Sequence, residues 1–220
     1  MEQAELEYVE HIKEAPILCR TVSIDHSSPH WHYEYEVIFV LRGSITVSAG
    51  GQSFVLEKGD LILLNSREIH SIMTSEKSNL CLILLWSPAP LLEAYKTTFN
   101  FYLNTRANNP PPPETAASFR STLAEMGLLI HEKPDGYPFA LKSCFYRFIS
   151  LLFNRDRAGP AYDKIARPEE IRATDQQLED FDRIQQYIRD HCKEEIPIDS
   201  LTAGIGMSRA KIFKVLKAAG

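Results

Sequence analysis

The sequence predicts a chain of mixed class, with a β-barrel or β-sandwich first and α-helices after it. Short runs rich in Ile, Val, Leu and aromatic residues recur between about residues 15 and 105, and turn residues separate them. Beyond the four consecutive prolines at 110–113, apolar residues recur at helical spacing instead. Prolines in series favour a stiff, extended spacer, because proline has no amide hydrogen to donate.

Seven runs in the first part of the chain are predicted to be strands. They are ILCRTVSI, YEVIFVL, SITVSA, QSFVLE, DLILL, EIHSIM and NLCLILLW. Gly50 and Gly51 separate two of these runs, which predicts a two-residue hairpin, and Gly59 marks another tight turn. Residues 1–107 are therefore predicted to form one β domain.

Residues 108–156 are predicted to form the proline-rich spacer and a helical hairpin. The second helix is apolar around most of its circumference, so another surface must cover it. Two-fold pairing with a second copy would do so, and we therefore expect a homodimer; packing against the β domain of the same chain is the alternative. The apolar residues at helical spacing are Phe119, Leu123, Met126 and Ile130, then Phe139, Leu141, Phe145, Phe148, Ile149 and Leu152.

Residues 157–174 are predicted to be a polar linker, and residues 175–220 to form three helices. Thr174 and Gln177 have the spacing of a capping box at the start of the first of these helices. Gly206 interrupts the pattern, and Ser208 is the expected cap of the last helix.

Composition narrows the class of protein. The chain has 220 residues, of which 44% are hydrophobic and 24% charged, which argues against disorder. Leu80–Trp86 is too short to cross a bilayer, and the acidic start of the chain lacks the apolar core of a signal peptide. The four cysteines have no CxxC spacing, which predicts free thiols in a reducing compartment. We expect a cytoplasmic protein with no membrane partner.

The net charge of −5 argues against a nucleic-acid partner, but the end of the chain is basic. Phosphate binding depends on local charge, so this element is a candidate for DNA contact. A solvated face of an amphipathic helix is the alternative. Between residues 206 and 220 there is no acid, and the cations are Arg209, Lys211, Lys214 and Lys217.

The sharpest pattern in the β region is a set of histidines and a glutamate. It reads His30-Trp31-His32-x-x-x-Glu36-x6-Gly43, followed by Gly59-x5-Asn65-x-Arg67-x-x-His70. Alternation along a strand predicts that His30, His32 and Glu36 share one face. Three imidazoles and a carboxylate that converge inside a barrel are a good ligand set for a divalent transition metal.

This pattern closely resembles the two-part motif of the cupins. The resemblance implies a jelly-roll barrel, also described as a double-stranded β-helix, in the first 107 residues. Two positions depart from the motif, since Asn65 stands in place of the usual proline and Arg67 in place of the usual glycine. The leading glycine of the first half is also missing near Asp25.

Residues 178–220 resemble the start of the DNA-binding domain of AraC-type (AraC/XylS) transcription regulators. The family pattern falls on Met207, Ser208, Ile212 and Phe213. The resemblance implies a partial, three-helix helix-turn-helix domain whose third helix enters the major groove. It places Ser208, Arg209, Ala210, Lys211 and Lys214 on DNA, and Met207, Ile212, Val215 and Leu216 in the core. Since only the first of the family's two helix-turn-helix units is present, we expect the chain to be a fragment of a longer regulator.

Together these resemblances predict a ligand-responsive transcription regulator that is not an enzyme. A small-molecule effector binds in the barrel, without a metal or other cofactor, and modulates binding of operator DNA by the full-length protein. The predicted effector pocket is His30, Trp31, His32, Glu36, His70 and Trp86. For each aromatic residue the alternative is core packing, and for His70 it is a bond to a backbone carbonyl.

The alternative function is a metal-dependent cupin enzyme, either a dioxygenase or an isomerase. Its metal would be held by His30, His32, Glu36 and His70. A sensor in which the metal is itself the signal would use the same four side chains.

Overall fold

The computed structural model describes residues 4–13, 15–74, 78–95, 98–156 and 195–219, together with 180, 183–184, 186–188 and 190–191. The chain divides into two compact units, Met1–Ala158 and Gly159–Gly220. The predicted linker at 157–174 and the predicted capping box of Thr174 and Gln177 lie outside the described residues.

The first unit is a sandwich of two β-sheets. The strands are β1 Glu5–Leu6, β2 Ile17–Val22, β3 His26–Trp31, β4 Tyr35–Arg42, β5 Ser44–Ala49, β6 Gln52–Glu57, β7 Leu61–Leu64, β8 His70–Met73 and β9 Leu80–Trp86. One sheet has the order β1-β3-β8-β5-β6 and the other β2-β9-β4-β7. Each of the seven runs predicted as strands contains a strand. β1 and β3 were not predicted, because β1 has two residues and β3 is polar with a proline.

The hairpin between β5 and β6 has the predicted two-residue turn. Ala49 pairs with Gln52, and the two glycines between them have φ angles of 56° and 75°. Consecutive positive φ values match the right-handed twist of the flanking strands and are easily adopted only by residues such as glycine.

The sheet β2-β9-β4-β7 is buried on both faces. On β4, Ile38 and Val40 face the interior of the sandwich, while Val37 and Phe39 belong to the apolar cluster under the helices. Burial on both faces explains why β4, β7 and β9 are continuous apolar runs instead of alternating ones.

Three helices follow the strands in the described part of the first unit: α1 Ala89–Tyr95, α2 Pro113–Glu132 and α3 Tyr137–Asp156. α1 lies inside the segment that the sequence predicted to be β throughout. The last proline of the run, Pro113, is the first residue of α2, and the extended Pro112 is its N-cap. A proline is tolerated in the first turn, because the amide hydrogen that it lacks would have no partner within the helix there.

The apolar stripes of α2 and α3 are covered by the sandwich of the same chain. Phe119 and Met126 of α2 and Phe148 of α3 are buried in one cluster with Leu84 and Val37. Packing within the chain, the alternative to pairing with a second copy, therefore covers these stripes. Phe139 is the exception, with 79% of its surface exposed. None of the helices in the described ranges is both long and apolar enough to span a membrane.

The second unit contains α4 Ile198–Ile205 and α5 Arg209–Ala219, joined by Gly206 in a left-handed conformation. Ile205, Met207, Ile212 and Val215 are buried. Leu216, which was expected in the core, is 37% exposed, because it follows Val215 by 100° around the helix and so leaves the packed side.

Gly204 is required inside α4 by a close contact within the second unit. A Cβ atom at this position would lie 2.0 Å from Cε2 of the Tyr187 ring. That ring is stacked on His191 at a centroid distance of 4.1 Å, so it has little freedom to move aside. Tight packing therefore explains why glycine, a residue of low helix propensity, stands inside this helix.

We expect Gly43→Ala to destabilise the sandwich more than Gly51→Ala. Both glycines have φ above 70°, which costs alanine about 1–2 kcal/mol. A Cβ at Gly43 would also lie 2.6 Å from the backbone oxygen of Ser78, whereas no atom lies within 4 Å of a Cβ at Gly51.

The measurement is urea unfolding followed by tryptophan fluorescence, since both tryptophans lie in the first unit. Gly43→Ala should lower the free energy of unfolding by about 2–4 kcal/mol and Gly51→Ala by about 1–2 kcal/mol. Equal losses would show that the contact with Ser78 has no effect on stability.

Candidate functional site

Four side chains converge at one end of the sandwich: His30, His32, Glu36 and His70. One ligand atom from each lies within 4.8 Å of the others. His30 at the end of β3 pairs directly with His70 at the start of β8, and their rings meet edge to face at 4.2 Å. Glu36 comes from β4 in the opposite sheet. The four side chains that the sequence pattern grouped therefore lie together in the structure.

The sequence predicted this convergence through alternation along a single strand, and that explanation is wrong. His30 is the last residue but one of β3, Glu36 lies in β4 of the other sheet, and His32 lies on the connection between them. The chain crosses from one sheet to the other within these residues, and this crossing brings the side chains to a common point.

All three histidines are held in the same orientation by backbone carbonyl groups. Nδ1 of His30 lies 2.8 Å from the carbonyl oxygen of Ser28, Nδ1 of His32 lies 3.1 Å from that of Glu34, and Nδ1 of His70 lies 2.8 Å from that of Glu68. A carbonyl oxygen only accepts, so each Nδ1 carries the proton. The lone pair of each neutral ring is then on Nε2.

These Nε2 atoms point towards carboxylates. Oε2 of Glu36 lies 3.1 Å from Nε2 of His32 and 3.0 Å from Nε2 of His70. Glu36, His32 and His70 are all buried. Since Nδ1 is already protonated, Nε2 donates to Glu36 only when the ring carries a positive charge.

The pKa values of Glu36 and His32 shift in opposite directions. Burial alone would raise the pKa of Glu36, but the hydrogen bond from His32 and the close ion-pair contact with His70 hold it well below its usual range. Burial alone would lower the pKa of His32, but the hydrogen bond to Glu36 and the charge of this carboxylate outweigh burial and raise it. The buried Glu36 carboxylate is therefore negatively charged, and the positive charge of a protonated His32 ring compensates it.

The residues present fit a divalent metal ion. Backbone carbonyls that hold Nδ1 are the usual partners that orient metal-binding histidines. Within the part of the chain that the structure describes, Nε2 of His70 has no hydrogen bond of suitable direction although it is buried. Two ligands at right angles, each about 2.1 Å from an ion, are about 3.0 Å apart, and the distances from Glu36 to the two histidines match this value.

Glu7 is a site residue that sequence reasoning missed. Its Oε2 lies 3.1 Å from Nε2 of His30, and this hydrogen bond lowers the pKa of Glu7. The contact depends on β1, which pairs in parallel with β3 through Glu5–His30 and Leu6–Trp31. No periodicity or motif in the sequence marks this pairing, since β1 has only two residues.

A family model decides the class of the first unit. Residues 19–149, well over half of the chain, match the AraC-like ligand binding domain. The chain belongs to this family. Its two sheets are a cupin-type β-sandwich, followed by helices.

Solved structures overlay on smaller parts of this AraC-like chain. Oxalate decarboxylase of Bacillus subtilis is 25% identical over 33% of this chain and 22% of its own, with a TM-score of 0.30. KdgF from Halomonas is 22% identical over 36% of this chain and 73% of its own, with a TM-score of 0.32. The Cnp3 cupin domain of Schizosaccharomyces pombe is 12% identical over 41% and 69%, with a TM-score of 0.35.

The match spans only about a fifth of the oxalate decarboxylase chain. No curated protein matches the chain.

The two tryptophans of the predicted pocket lie away from the four converging side chains of the AraC-like domain. Trp86 is fully buried on the helix side of its sheet, stacked on Tyr35 at 4.2 Å. Its neighbour Leu85 is the residue that faces the interior beside Glu36. Trp31 follows His30 on β3 and so projects from the opposite face, where its ring meets Tyr33. Core packing, the alternative for Trp86, is what the structure shows.

The residues predicted to contact DNA lie on and just before α5, in the unit that follows the AraC-like domain. Ser208, Arg209, Ala210, Lys211 and Lys214 are all exposed. Ser208 caps α5, with its Oγ 3.3 Å from the amide nitrogen of Lys211.

Two of these cations have acidic partners in the same unit. Arg209 is 2.8 Å from Asp199, and Nζ of Lys211 is 2.6 Å from the buried Asp180.

We expect Glu36→Gln to destabilise the metal-free sandwich, and more so at about pH 5.5 than at about pH 9. The raised pKa of His32 makes the pair stabilising below the ordinary histidine pKa of about 6.5, and this contribution is lost as the pH rises through the raised value. The lowered pKa of Glu36 makes the contribution present above about 4.3 and lost only at lower pH.

The measurement is urea unfolding in the presence of a chelator. The free energy of unfolding of Glu36→Gln should fall by about 2–3 kcal/mol at the lower pH, because removing one partner of a buried pair leaves the other uncompensated. Glu10→Gln, an exposed residue, is the control and should change stability by less than about 0.5 kcal/mol. An equal loss at both pH values would exclude charged His32 as the partner.

Proposed function

We propose that this chain is the effector-sensing region of a DNA-binding transcription regulator, in which a small molecule bound in the sandwich changes DNA binding. The observation that carries the proposal is the combination of two units in one chain. An AraC-like ligand binding domain is followed by a second compact unit whose last helix has exposed cations.

The chemistry of α5 supports contact with DNA. Arg209 and Lys214 are exposed, and the helix has no acidic residue. The exposed Ser208 lies at the N-terminus of α5, and a helix N-terminus favours anions such as a phosphate. Met207, Ile212 and Val215 hold the opposite face in the core, so the polar face of α5 is the one offered to a groove.

The four converging side chains support a binding site for a polar effector. They combine donors and acceptors at one end of an otherwise apolar interior, which is the usual composition of a small-molecule site. A cleft of about 410 Å³ lies beside His30 and is lined by residues of β1 and β3 together with neighbouring residues. An effector with hydroxyl or carboxylate groups suits this site.

Homodimerisation remains part of the proposal. The apolar stripes of α2 and α3 are buried within the chain, but Leu128 and Tyr146 stay more than half exposed, as does Phe139. These residues are the remaining candidates for contact with a second copy. The effector would then shift the population of dimers between arrangements that bind DNA and arrangements that do not.

We expect the chain to bind a DNA duplex selected from a random pool only weakly and at low salt, and Lys214→Ala to weaken this binding further. Loss of one phosphate contact should lower affinity on all sequences and reduce the slope of log affinity against log salt by about 1. Fluorescence anisotropy with the selected duplex measures both quantities. Lys142→Ala, on the exposed side of α3, removes the same charge and should have no effect.

Selection of no duplex, or equal effects of both variants, would contradict the assignment of α5 to DNA.

A second candidate function is metal binding by His30, His32, Glu36 and His70. The observation that favours it is the donor set, with Nδ1 of each histidine held by a carbonyl and Nε2 facing the centre. A bound divalent ion would act as a Lewis acid or would itself be the signal. The chain's own contribution is to orient the three rings and to keep Glu36 charged.

We expect the chain, purified without a metal-binding tag, to bind one Co²⁺, Mn²⁺ or Zn²⁺ per protomer after incubation with these ions. Elemental mass spectrometry measures the content. The double variant His32→Ala/Glu36→Ala should lose the ion, because two of the four ligands are gone. A metal content near zero in the unmodified chain would exclude this second function and leave an effector pocket without metal.

A further inference from the structure

We propose that Glu7 is a further ligand of the metal ion held by His30, His32, Glu36 and His70, so that metal binding fixes strand β1 to the sheet. This inference rests on the metal-binding candidate function. It concerns a residue that directly follows β1, the edge neighbour of β3, and that is not one of the four side chains already described.

Strand β1 is attached to the sheet by few contacts. It has two residues, and the amide of Glu7 donates to the carbonyl oxygen of Trp31 at 2.9 Å. Every other pairing between described strands is antiparallel and longer. So short an edge strand is held weakly by its backbone, and the side chain of Glu7 supplies the further contact to His30.

Glu7 lies beside the atom of His30 that would bind a metal ion. Nδ1 of His30 is protonated, because it donates to the carbonyl oxygen of Ser28. The lone pair of a neutral His30 ring is therefore on Nε2, the atom that would bind an ion. The Glu7 carboxylate lies 3.1 Å from this nitrogen and is an oxygen donor suited to a divalent cation.

Glu7 lies at the edge of the group of four side chains whose ligand atoms are within 4.8 Å of one another, and it reaches this group through His30. Its Oε2 is 3.1 Å from Nε2 of His30, and Oε2 of Glu36 is 3.1 Å from Nε2 of His32. Both distances fit neighbouring ligands about 2.1 Å from a common ion, which are about 3.0 Å apart at right angles. Glu7 thus approaches the site as a second carboxylate, from the solvent side, with 45% of its side chain exposed.

The segment that follows Glu7 continues over the same end of the sandwich. Val9 packs against the interior apolar cluster, and Nε2 of His11 lies 3.2 Å from Oε1 of Glu34. A bond from Glu7 to the ion would therefore hold a covering segment in place, and its order would report whether the metal is bound.

The test compares Co²⁺ binding by the metal-free chain and three variants: Glu7→Gln, Glu10→Gln and Glu36→Gln. Calorimetry measures the affinity, visible absorption reports the number and type of ligands around Co²⁺, and hydrogen exchange measures protection of the amides in residues 4–9. Glu10 is the matched control, because it is an exposed acid of the same segment. Fluorescence-monitored unfolding checks that each variant is folded.

We expect Co²⁺ to bind the unmodified chain and Glu10→Gln equally, and to raise the protection of residues 4–9 in both. Glu7→Gln should bind at least about 10-fold more weakly, with an altered absorption spectrum and no rise in protection. If Glu7→Gln keeps the affinity, the spectrum and the protection while Glu36→Gln loses the ion, the metal site stands and Glu7 is not a ligand. If the unmodified chain binds no Co²⁺, or Glu36→Gln binds it as well, the metal site itself fails, and this inference with it.

Discussion

The burial of the sheet β2-β9-β4-β7 on both faces is the constraint on which the rest of the first unit depends. One face closes the interior of the sandwich and the other carries α2 and α3. Successive residues of β4 and β9 therefore enter two different cores, and neither core tolerates an unpaired polar group. The positions of the helices, of Trp86 and of Glu36 all follow from this division.

Glu36 is a carboxylate on the interior face of this sheet, in line with Ile38 and Val40. A charge at such a place is stable only when it is paired and hydrogen-bonded, and two histidines supply this. The histidines in turn are oriented by backbone carbonyls at the irregular pairing within β3, just before β8 and on the crossing to β4. The site is thus built where regular pairing is interrupted, which is where backbone acceptors are free of the sheet ladder.

Much of the fold was predictable because its signals are local. The two-residue turn at Gly50 and Gly51, the seven apolar runs and the helical spacing of Phe119, Leu123 and Met126 depend on neighbouring residues only. The errors also have local causes. α1 was missed because it is short and lies between β segments, and β3 was missed because it is polar and contains Pro29.

The sequence by itself determined seven of the strands, the helical hairpin and the identity of the four converging side chains. It did so because turn chemistry, side-chain periodicity and the His and Glu spacing are properties of short segments. The tertiary structure alone decided that Trp86 packs under α3, that the stripes of α2 and α3 are covered by their own sandwich, and that Glu7 meets His30. Each of these depends on which distant segments pair and on which face of a sheet a residue lies, and a single shift in register would reverse it.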